Sequence, residues 1–297
     1  MTARDSRTEE FEALRPRLFG IAYRMTGSIG DAEDVGQEAW LRWQAVDREQ
    51  VTNPEAYLVR TVTHLAIDRL RSAQRRKETY VGPYLPEPLV DDVSTQPERA
   101  AELADSLTFA FLVLLDELTP VERAVLLLHD VFGYPFDEVA RAVDRSPDAC
   151  RQLASRTRRK LQRERVEFRR PDAAREQELI GTLLATIAAG DIEGVMSLLA
   201  PDVVLLSDGG ATRHAARHPV VGPDRVARLI VNLSRRVPAV FDTQLVRVNG
   251  EPGLLFTVDG RADFVLSFSF TADGRVRRMY SQLNPDKLRH VAVQTTR

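Results

Sequence analysis

A strongly basic helix near the middle of the chain carries side chains suited to contact with nucleic acid. Ser146-Pro147-Asp148 predicts its start, with a side-chain acceptor at the N-cap and proline at the first helical position. One face of the helix presents donors for guanine edges, adenine edges and phosphates. These residues are Arg151, Gln152, Ser155, Arg156, Arg158 and Arg159. A lone run of charge is usually a solvated face, so a DNA-binding role depends on the elements around the helix.

Two preceding helices are predicted to support this basic helix. Thr119-Pro120-Val121-Glu122 has the form of a capping box, and a short helix follows with apolar residues at i, i+3, i+4 and i+7 from Phe136. Asp144-Arg145 then forms a turn. The face of the basic helix opposite its donors is apolar and should pack on those two helices; it holds Cys150, Leu153, Ala154, Thr157 and Leu161. The pattern is that of a helix-turn-helix.

A second basic stretch lies in the first 80 residues, where apolar positions recur at helical spacing. The helix that starts at Asn53-Pro54-Glu55 carries His64, Asp68, Arg69 and Arg71, and its basic extension holds Arg75, Arg76 and Lys77. Before it lies an acidic segment, DAEDVGQEAWLRW, which ends at Trp43. On its own this segment is an acidic helix start with an aromatic core residue.

The rest of the chain has a different character. Residues 81–100 are rich in proline and acids, which predicts a linker rather than a continuous helix. After Pro171 two helices are followed by strand patterns, including the alternating stretch from Phe264 to Phe270 and a strong hairpin turn at Asn249-Gly250. These features predict an α+β domain with a curved, mostly antiparallel sheet.

Composition excludes several classes of protein. Lys+Arg 41 against Asp+Glu 43 gives a net charge of −2, which argues against non-specific coating of nucleic acid. The single cysteine, Cys150, can form neither an internal disulfide nor a zinc site, and it suits a reducing cytosol. No signal-like or membrane-spanning segment is seen. We expect a cytoplasmic protein with no metal and no cofactor.

The helical segments resemble a known family. DAEDVGQEAWLRW, NPEAYLVRTVTHLAIDRLRS and LTPVERAVLLLHDVFGYPFDEVARAVDRSPDACRQLASRTRRKL resemble, in order, regions two and four of the extracytoplasmic-function (ECF) sigma factors. The resemblance implies that one group of residues meets the clamp helices of RNA polymerase core: Asp34, Gln37, Glu38 and Trp40. His64, Asp68, Arg69 and Arg71 would lie near the downstream promoter element, and the donors of the basic helix near the upstream element. Gly36 departs from the larger residue that is usual in the family.

The tail resembles a SnoaL-like domain of the NTF2-like fold. Sigma factors of the sigma-J type carry such a domain, together with two motifs matched here by Tyr84-Leu85-Pro86-Glu87-Pro88 and Asn284-Pro285-Asp286-Lys287-Leu288. Their glycine-rich motif is matched in part by Asp208-Gly209-Gly210, with Arg213 as a substitute for a missing base. The resemblance implies a built-in regulator that docks on the two DNA-binding domains through the linker and the C-terminal motif.

The resulting interpretation is a multidomain protein. It has an all-α sigma region 2 at 8–80, a linker at 81–100, an all-α helix-turn-helix region 4 at 101–170 and an α+β SnoaL-like domain at 173–295. Its expected partners are bacterial RNA polymerase core and promoter DNA, with no membrane and no requirement for a separate anti-sigma factor. A small-molecule ligand in the last domain is left open.

Two alternatives remain at this point. The chain could be a helix-turn-helix regulator that acts without polymerase, or a DNA-binding module fused to a SnoaL-like enzyme. The second alternative would need an acid-base site among Asp208, Arg213, His214, His218 and Asp263. The histidines fall in a polar segment that reads as loop, and spacing places no second carboxylate. We therefore expect no catalytic residue.

Overall fold

The computed structural model describes residues 3–77, 79–92, 108–163, 173–235 and 241–291. Its contacts divide the chain into two compact units. Unit 1 holds Met1–Thr79 and Leu114–Arg165, and unit 2 holds Tyr80–Val113 and Val166–Arg297. The described part of the linker therefore belongs to the same unit as the C-terminal domain.

Unit 1 begins with the three predicted helices, α1 (Ala3–Thr26), α2 (Ile29–Ala45) and α3 (Pro54–Lys77). Local side-chain caps set two of the starts. The Ser28 hydroxyl accepts from the Asp31 N–H at 3.1 Å, and Asn53 Oδ1 accepts from the Ala56 N–H at 3.0 Å. The predicted helical character of this region is confirmed.

The helix-turn-helix is also confirmed. The chain continues with β1 (Val90–Asp92) and α4 (Phe109–Leu115). These are followed by α5 (Pro120–Leu126), α6 (Phe136–Ala142) and α7 (Pro147–Arg163). Leu127–Val131 extends α5 as a π-helical turn. The capping box at Thr119 and Glu122 forms as predicted. Of the predicted packing face of α7, four side chains are buried: Cys150, Ala154, Thr157 and Leu161.

The α+β domain of unit 2 has the predicted class. Its helices are α8 (Ala173–Ala188), α9 (Ile192–Leu198) and α10 (Pro223–Ser234). Its strands are β2 (Leu199–Asp208), β3 (Val220–Val221), β4 (Asp242–Val248), β5 (Glu251–Val258), β6 (Arg261–Phe270) and β7 (Val276–Gln282). The sheet order is β1-β4-β5-β6-β7-β2-β3, and only the β2–β7 pair is parallel among these strands. Asn249 and Gly250 both have positive φ, 51° and 76°, as a two-residue hairpin turn of this kind requires.

The two faces of this sheet are covered by different parts of the chain. Helices α8, α9 and α10 cover one face, in a core that includes Phe268 and Met279. On the other face, Leu85 and Leu288 are buried with Phe109, whose ring centroid lies 5.5 Å from that of Tyr280. We call this second side the linker face of the sheet, since the linker residue Leu85 packs there.

Strand β1 is a part of the linker that the sequence did not predict. Val90–Asp92 pairs antiparallel with β4. Next to this pairing, the Asn249 N–H donates to the Leu89 carbonyl at 2.8 Å and the Leu89 N–H donates to Asn249 Oδ1 at 3.2 Å. Pro86 and Pro88 have no N–H to donate, so ladder pairing can begin only after them. The linker therefore joins the sheet as an edge strand. Its residues 93–100 lie outside the described part of the chain.

Two further findings concern the described residues alone. No helix among them combines the length and the apolar character needed to cross a membrane. Within the same ranges, no cluster of three or more histidine, cysteine or acidic side chains is arranged to hold a metal ion.

Gly36 offers a test of the helix α2. A Cβ added at this position would meet no atom within 4 Å, and its φ is not positive. We expect Gly36→Ala to raise the free energy of unfolding by about 1 kcal/mol, because alanine loses less backbone entropy in a helix. Chemical denaturation of the full chain would check this. A destabilised variant would show that Gly36 has a steric role.

Candidate polymerase- and promoter-binding surfaces and linker site

Helix α2 presents an acidic surface above its buried stripe. Ala32, Val35, Ala39 and Trp43 form the stripe at helical spacing and face the core. The side chain of Asp34 is 55% exposed and that of Glu38 is 42% exposed, so both carboxylates are accessible to a partner, although Glu38 also pairs with Arg42 at 2.7 Å. Gln37 is exposed beside them. Three of the four residues that the family resemblance assigned to polymerase binding thus share one accessible face.

The two tryptophans of α2 have different roles. Trp43 is fully buried, and its indole N–H donates to the Arg7 carbonyl at 3.1 Å. Trp40 is half-buried, with its ring centroid 4.9 Å from that of Phe11. The core position predicted for one tryptophan therefore belongs to Trp43, and the partly accessible ring is that of Trp40.

Leu41 is a surface residue that sequence reasoning missed. Its side chain is 65% exposed, the largest exposed fraction among the exposed large apolar residues of the described chain. It stands three residues after Glu38 and four after Gln37, so it lies beside the acidic surface. The sequence could have predicted this exposure, because the apolar residue at position 41 does not follow the helical spacing of the buried stripe. We define the α2 surface as Asp34, Gln37, Glu38 and Leu41.

The predicted DNA-binding residues of α3 fall into two groups. His64, Asp68 and Arg71 follow one another at i, i+4 and i+7 on one face, and Arg71 pairs with Asp68 at 3.1 Å. Arg69 instead reaches α2, with its guanidinium 3.4 Å from Asp34 and 3.6 Å from Asp31. Arg69 thus links the α3 element to the α2 surface. The side chains of the basic extension, residues 75–77, lie outside the described part.

The donor face of α7 is exposed as predicted, and part of it is already paired. Gln152, Ser155, Arg156 and Arg159 are exposed. Arg151 pairs with Asp148 at 2.6 Å. The Arg158 guanidinium donates hydrogen bonds to both carboxylate oxygens of Asp130. The pKa of Arg158 is raised above its ordinary value by its hydrogen bonds to the Asp130 carboxylate. Asp130 therefore neutralises the Arg158 charge, so a phosphate would have to displace or share this partner.

Asp208 is the centre of the linker site in unit 2. It is 1% exposed, and its carboxylate accepts from the Tyr80 hydroxyl, the Leu85 N–H at 2.9 Å, the Gly210 N–H at 3.0 Å and Lys287 Nζ at 2.8 Å. Burial and the hydrogen bond to Asp208 raise the pKa of Tyr80 above its ordinary value. A carboxylate offers about four acceptor positions, so these four donors use its capacity.

Lys287 also contacts the linker, through the carbonyl of the same residue whose N–H donates to Asp208. Its ammonium donates to the Leu85 carbonyl at 2.6 Å and lies 3.2 Å from the centre of the Tyr84 ring. It is also 5.0 Å from the Tyr80 ring centre. The ammonium therefore combines an ion pair, a backbone hydrogen bond and cation–π contacts in a buried position.

The remaining motif residues support this arrangement. Asn284 donates to the Tyr80 hydroxyl at 2.8 Å and caps the turn at Asp286 N. Gly210 has φ 61°, and a Cβ there would lie 2.7 Å from Asn284, while a Cβ at Gly209 would lie 2.4 Å from the Arg213 carbonyl. Both glycines are thus required by space, which explains a glycine pair directly after Asp208.

Not every predicted motif residue contacts the linker. The Asp286 carboxylate is 72% exposed and pairs with Arg289, and Pro285 is exposed. Within the linker, Pro86 and Pro88 are buried, and Glu87 lies 3.4 Å from His290 Nε2. Arg213 pairs with Asp263 at 2.6 Å, so the cation of the Asp208 site is Lys287 and not Arg213.

Two residues of the linker site were missed by sequence reasoning. Tyr80 precedes the recognised linker motif, and Gln282 precedes the C-terminal motif. The Gln282 amide donates to the Pro86 carbonyl at 3.0 Å, and its own oxygen accepts from the Asn284 N–H. Burial of the Gln282 amide on β7 gave no separate sequence signal, because alternating polar residues on a strand usually face water.

Comparisons with known proteins identify the two helical regions. Family models match as "Sigma-70 region 2" over residues 11–76 and as "Sigma-70, region 4" over residues 108–161. The chain is 42% identical to "ECF RNA polymerase sigma factor SigJ" of Mycobacterium tuberculosis (strain ATCC 25618 / H37Rv), over 94% of this chain and 92% of that protein. It is 28% identical to "Probable ECF RNA polymerase sigma factor SigI" of the same strain, over 97% of both chains.

A solved structure is similar over nearly the whole chain. The crystal structure of the Mycobacterium tuberculosis extracytoplasmic function sigma factor SigJ superimposes with a TM-score of 0.78 at 38% identity, covering 97% of this chain and all of that one. The superposition therefore covers both the helical regions and the α+β domain of this chain. The chain belongs to the extracytoplasmic-function family of RNA polymerase sigma factors.

Proposed function

We propose that this chain binds bacterial RNA polymerase core through the α2 surface, contacts promoter DNA through α3 and α7, and is regulated by its own C-terminal domain. Family membership supports the first two roles. The observation that carries the third is the buried carboxylate of Asp208, which holds the linker backbone at Leu85 together with Lys287. Acting with polymerase places the chain in the bacterial cytoplasm.

The proposed division of labour follows from charge. The α2 surface combines two accessible carboxylates with the exposed apolar side chain of Leu41, a combination that fits a basic partner surface with an apolar pocket. The donors of α7 fit base edges and phosphates. No covalent chemistry is needed from either surface.

The linker site supports a regulatory role for the C-terminal domain. The linker connects the two family-matched helical regions. It is held at Leu85 by buried hydrogen bonds and at residues 90–92 by pairing of β1 with β4. A change in the C-terminal domain that breaks these contacts would therefore increase the conformational freedom of the connection between regions 2 and 4. A regulator in the same chain makes a separate anti-sigma protein less necessary.

The same contacts argue against turnover in the C-terminal domain. A general base needs an accessible lone pair, and Asp208 already accepts from four donors of its own chain. His214 and His218 are exposed, outside this hydrogen-bonded group. The linker face is filled by Leu85 and Phe109, so a small-molecule ligand there would have to displace the chain's own side chains.

Co-migration with bacterial RNA polymerase core in size-exclusion chromatography, without DNA, tests the proposed function. We expect a stable complex that is weakened at least tenfold by Asp34→Asn with Glu38→Gln, because two charges are lost from one contact surface. The matched control is Glu193→Gln, an exposed carboxylate on α9 in unit 2. Absence of a complex under all salt conditions would contradict the proposal and favour a stand-alone DNA-binding regulator.

Leu41 gives a second, uncharged test of the same surface. We expect Leu41→Ser to weaken core binding by about tenfold, the effect of removing one apolar contact of about 1.4 kcal/mol. Its effect on unfolding should be small, because the side chain is already 65% exposed. Titration of labelled core measures the affinity. Unchanged affinity would place Leu41 outside the contact.

A further inference from the structure

A carboxylate in the turn of the helix-turn-helix lies between two nitrogen groups of α3. Asp144 Oδ1 is 3.0 Å from Arg60 Nη2, and Asp144 Oδ2 is 3.2 Å from His64 Nε2. Each oxygen thus meets a different side chain. All three groups are reachable from water, with side chains 54%, 33% and 63% exposed for Arg60, His64 and Asp144 respectively.

The backbone of the turn fixes the position of this carboxylate. Asp144 adopts φ 51°, a left-handed conformation that only glycine, asparagine and aspartate visit readily. The following N–H, of Arg145, donates to the Ala140 carbonyl at the end of α6. Since α6 and α7 determine this turn, Asp144 is presented to α3 by the packing of the helix-turn-helix and not by a flexible loop.

The two nitrogen groups belong to the face of α3 that the family resemblance assigns to promoter DNA. Arg60 and His64 are four residues apart, and Arg71 follows seven residues after His64 on the same face. His64 was predicted to lie near the downstream promoter element, whereas nothing assigns a role to Arg60. Other charges face the turn as well, because Arg145 Nη1 lies 3.4 Å from the Asp144 carbonyl.

We propose that Arg60 and His64 form a binding site for a phosphodiester of promoter DNA, and that Asp144 occupies this site in the free chain. The proposal rests on the function proposed above. Two oxygens of a carboxylate and two oxygens of a phosphodiester present the same acceptor pair to a guanidinium and an imidazole. DNA therefore has to displace Asp144 from α3, and the free chain is held in a state of low DNA affinity.

Asp144→Asn is the test, because asparagine keeps the shape of the side chain, tolerates positive φ and removes the charge. The full chain is titrated with a short fluorescein-labelled single strand of DNA at several salt concentrations. A phosphate contact is independent of sequence, so the promoter need not be known. We expect about threefold to tenfold tighter binding, with a salt slope steeper by about 0.7, the value of one added phosphate contact on a single strand.

Two variants make the result specific. Glu12→Gln removes a charge of the same sign from α1 in the same unit, where Glu12 pairs with Arg15 and its side chain is 54% exposed. If Glu12→Gln tightens DNA binding as much as Asp144→Asn does, the effect is one of net charge and the proposal is wrong. Arg60→Gln in the Asp144→Asn background should abolish the gain, and a gain that persists would also overturn it.

A phosphate competition identifies the ligand of the site. A separate core-binding assay distinguishes failure of this proposal from failure of the proposed function. Inorganic phosphate at constant ionic strength should leave DNA binding by Asp144→Asn unchanged, whereas competition at low millimolar phosphate would assign the site to free phosphate instead. Co-migration with polymerase core is measured on the same proteins. Failure to bind core would refute the proposed function, while equal DNA affinity of the wild-type and Asp144→Asn chains would refute only the Asp144 site.

Discussion

Replacing Lys287 by methionine is expected to lower the free energy of unfolding of unit 2 by about 3–5 kcal/mol, because it leaves the Asp208 charge buried without its cation. The side chain of Asp208 is fully buried and that of Lys287 is 7% exposed, so water does not screen the pair. Methionine fills a similar volume, which separates the charge effect from a packing defect. Denaturant unfolding of the full chain, followed by circular dichroism, measures the change.

The same substitution should release the linker. Lys287 also donates to the Leu85 carbonyl, so its loss frees the linker backbone at the point where Asp208 binds the Leu85 N–H. We expect faster proteolytic cleavage between residues 80 and 92, detected by mass spectrometry. In transcription with polymerase core, the transcript yield of the variant should differ from that of wild type by severalfold. A higher yield would show that the docked linker inhibits initiation, and a lower yield that it assists initiation.

Two controls separate the buried ion pair from general damage. Asp286→Asn changes a carboxylate one residue away that is 72% exposed and pairs with Arg289, and it should alter stability by less than about 0.5 kcal/mol. Lys287→Met combined with Asp208→Asn should recover part of the loss, since no unpaired charge remains. A Lys287→Met chain as stable as Asp286→Asn would show that the pair is not a stabilising centre.

The elements that sequence predicted best are those whose signals are local. The Asn53 cap, the Thr119 capping box and the Asn249-Gly250 turn each depend on a few adjacent residues, and all three form. The buried face of α7 was also predictable, because helical spacing alone separates Cys150 and Ala154 from the basic side. Local chemistry therefore predicted the helical part and its exposed donors.

The missed features depend on contacts between distant parts of the chain. Strand β1 forms only because β4, more than a hundred residues later, offers an unpaired edge. Tyr80 is half-buried and Gln282 is buried in the linker site, and neither has a pattern of its own in the sequence. The family resemblance supplied both main linker-site motifs, but it did not show that Asp208 and Lys287 hold one backbone segment between them.

The acids near the predicted DNA-binding residues explain how a DNA-binding chain can have a net charge of −2. Arg158 pairs with Asp130, Arg151 with Asp148 and Arg71 with Asp68. Each internal partner must be displaced or shared before the arginine can neutralise a phosphate. Weak DNA binding by the free chain is the expected consequence, and binding through polymerase would position the donors at the promoter.

Arg123→Leu is expected to destabilise unit 1 by about 3 kcal/mol, because it removes three hydrogen bonds made by one buried guanidinium. Arg123 is 3% exposed and donates to the Leu115 carbonyl at 2.9 Å, the Met25 carbonyl at 2.6 Å and the Asp116 carboxylate at 2.6 Å. Met25 stands near the end of α1 and Arg123 lies in α5, so the guanidinium joins the two family-matched regions. Leucine satisfies none of these acceptors.

The position of Arg123 also makes the expected result specific to unit 1. Thermal unfolding of the full chain should show a lower midpoint for the helical transition, together with faster cleavage near residue 116. Arg228→Leu is the matched control, because Arg228 pairs with Asp224 on the exposed side of α10 in unit 2. Its side chain is 61% exposed, so its loss should cost less than about 0.5 kcal/mol. Equal midpoints for the two leucine variants would mean that other contacts satisfy the Met25 and Leu115 carbonyls, and that Arg123 does not hold the two regions together.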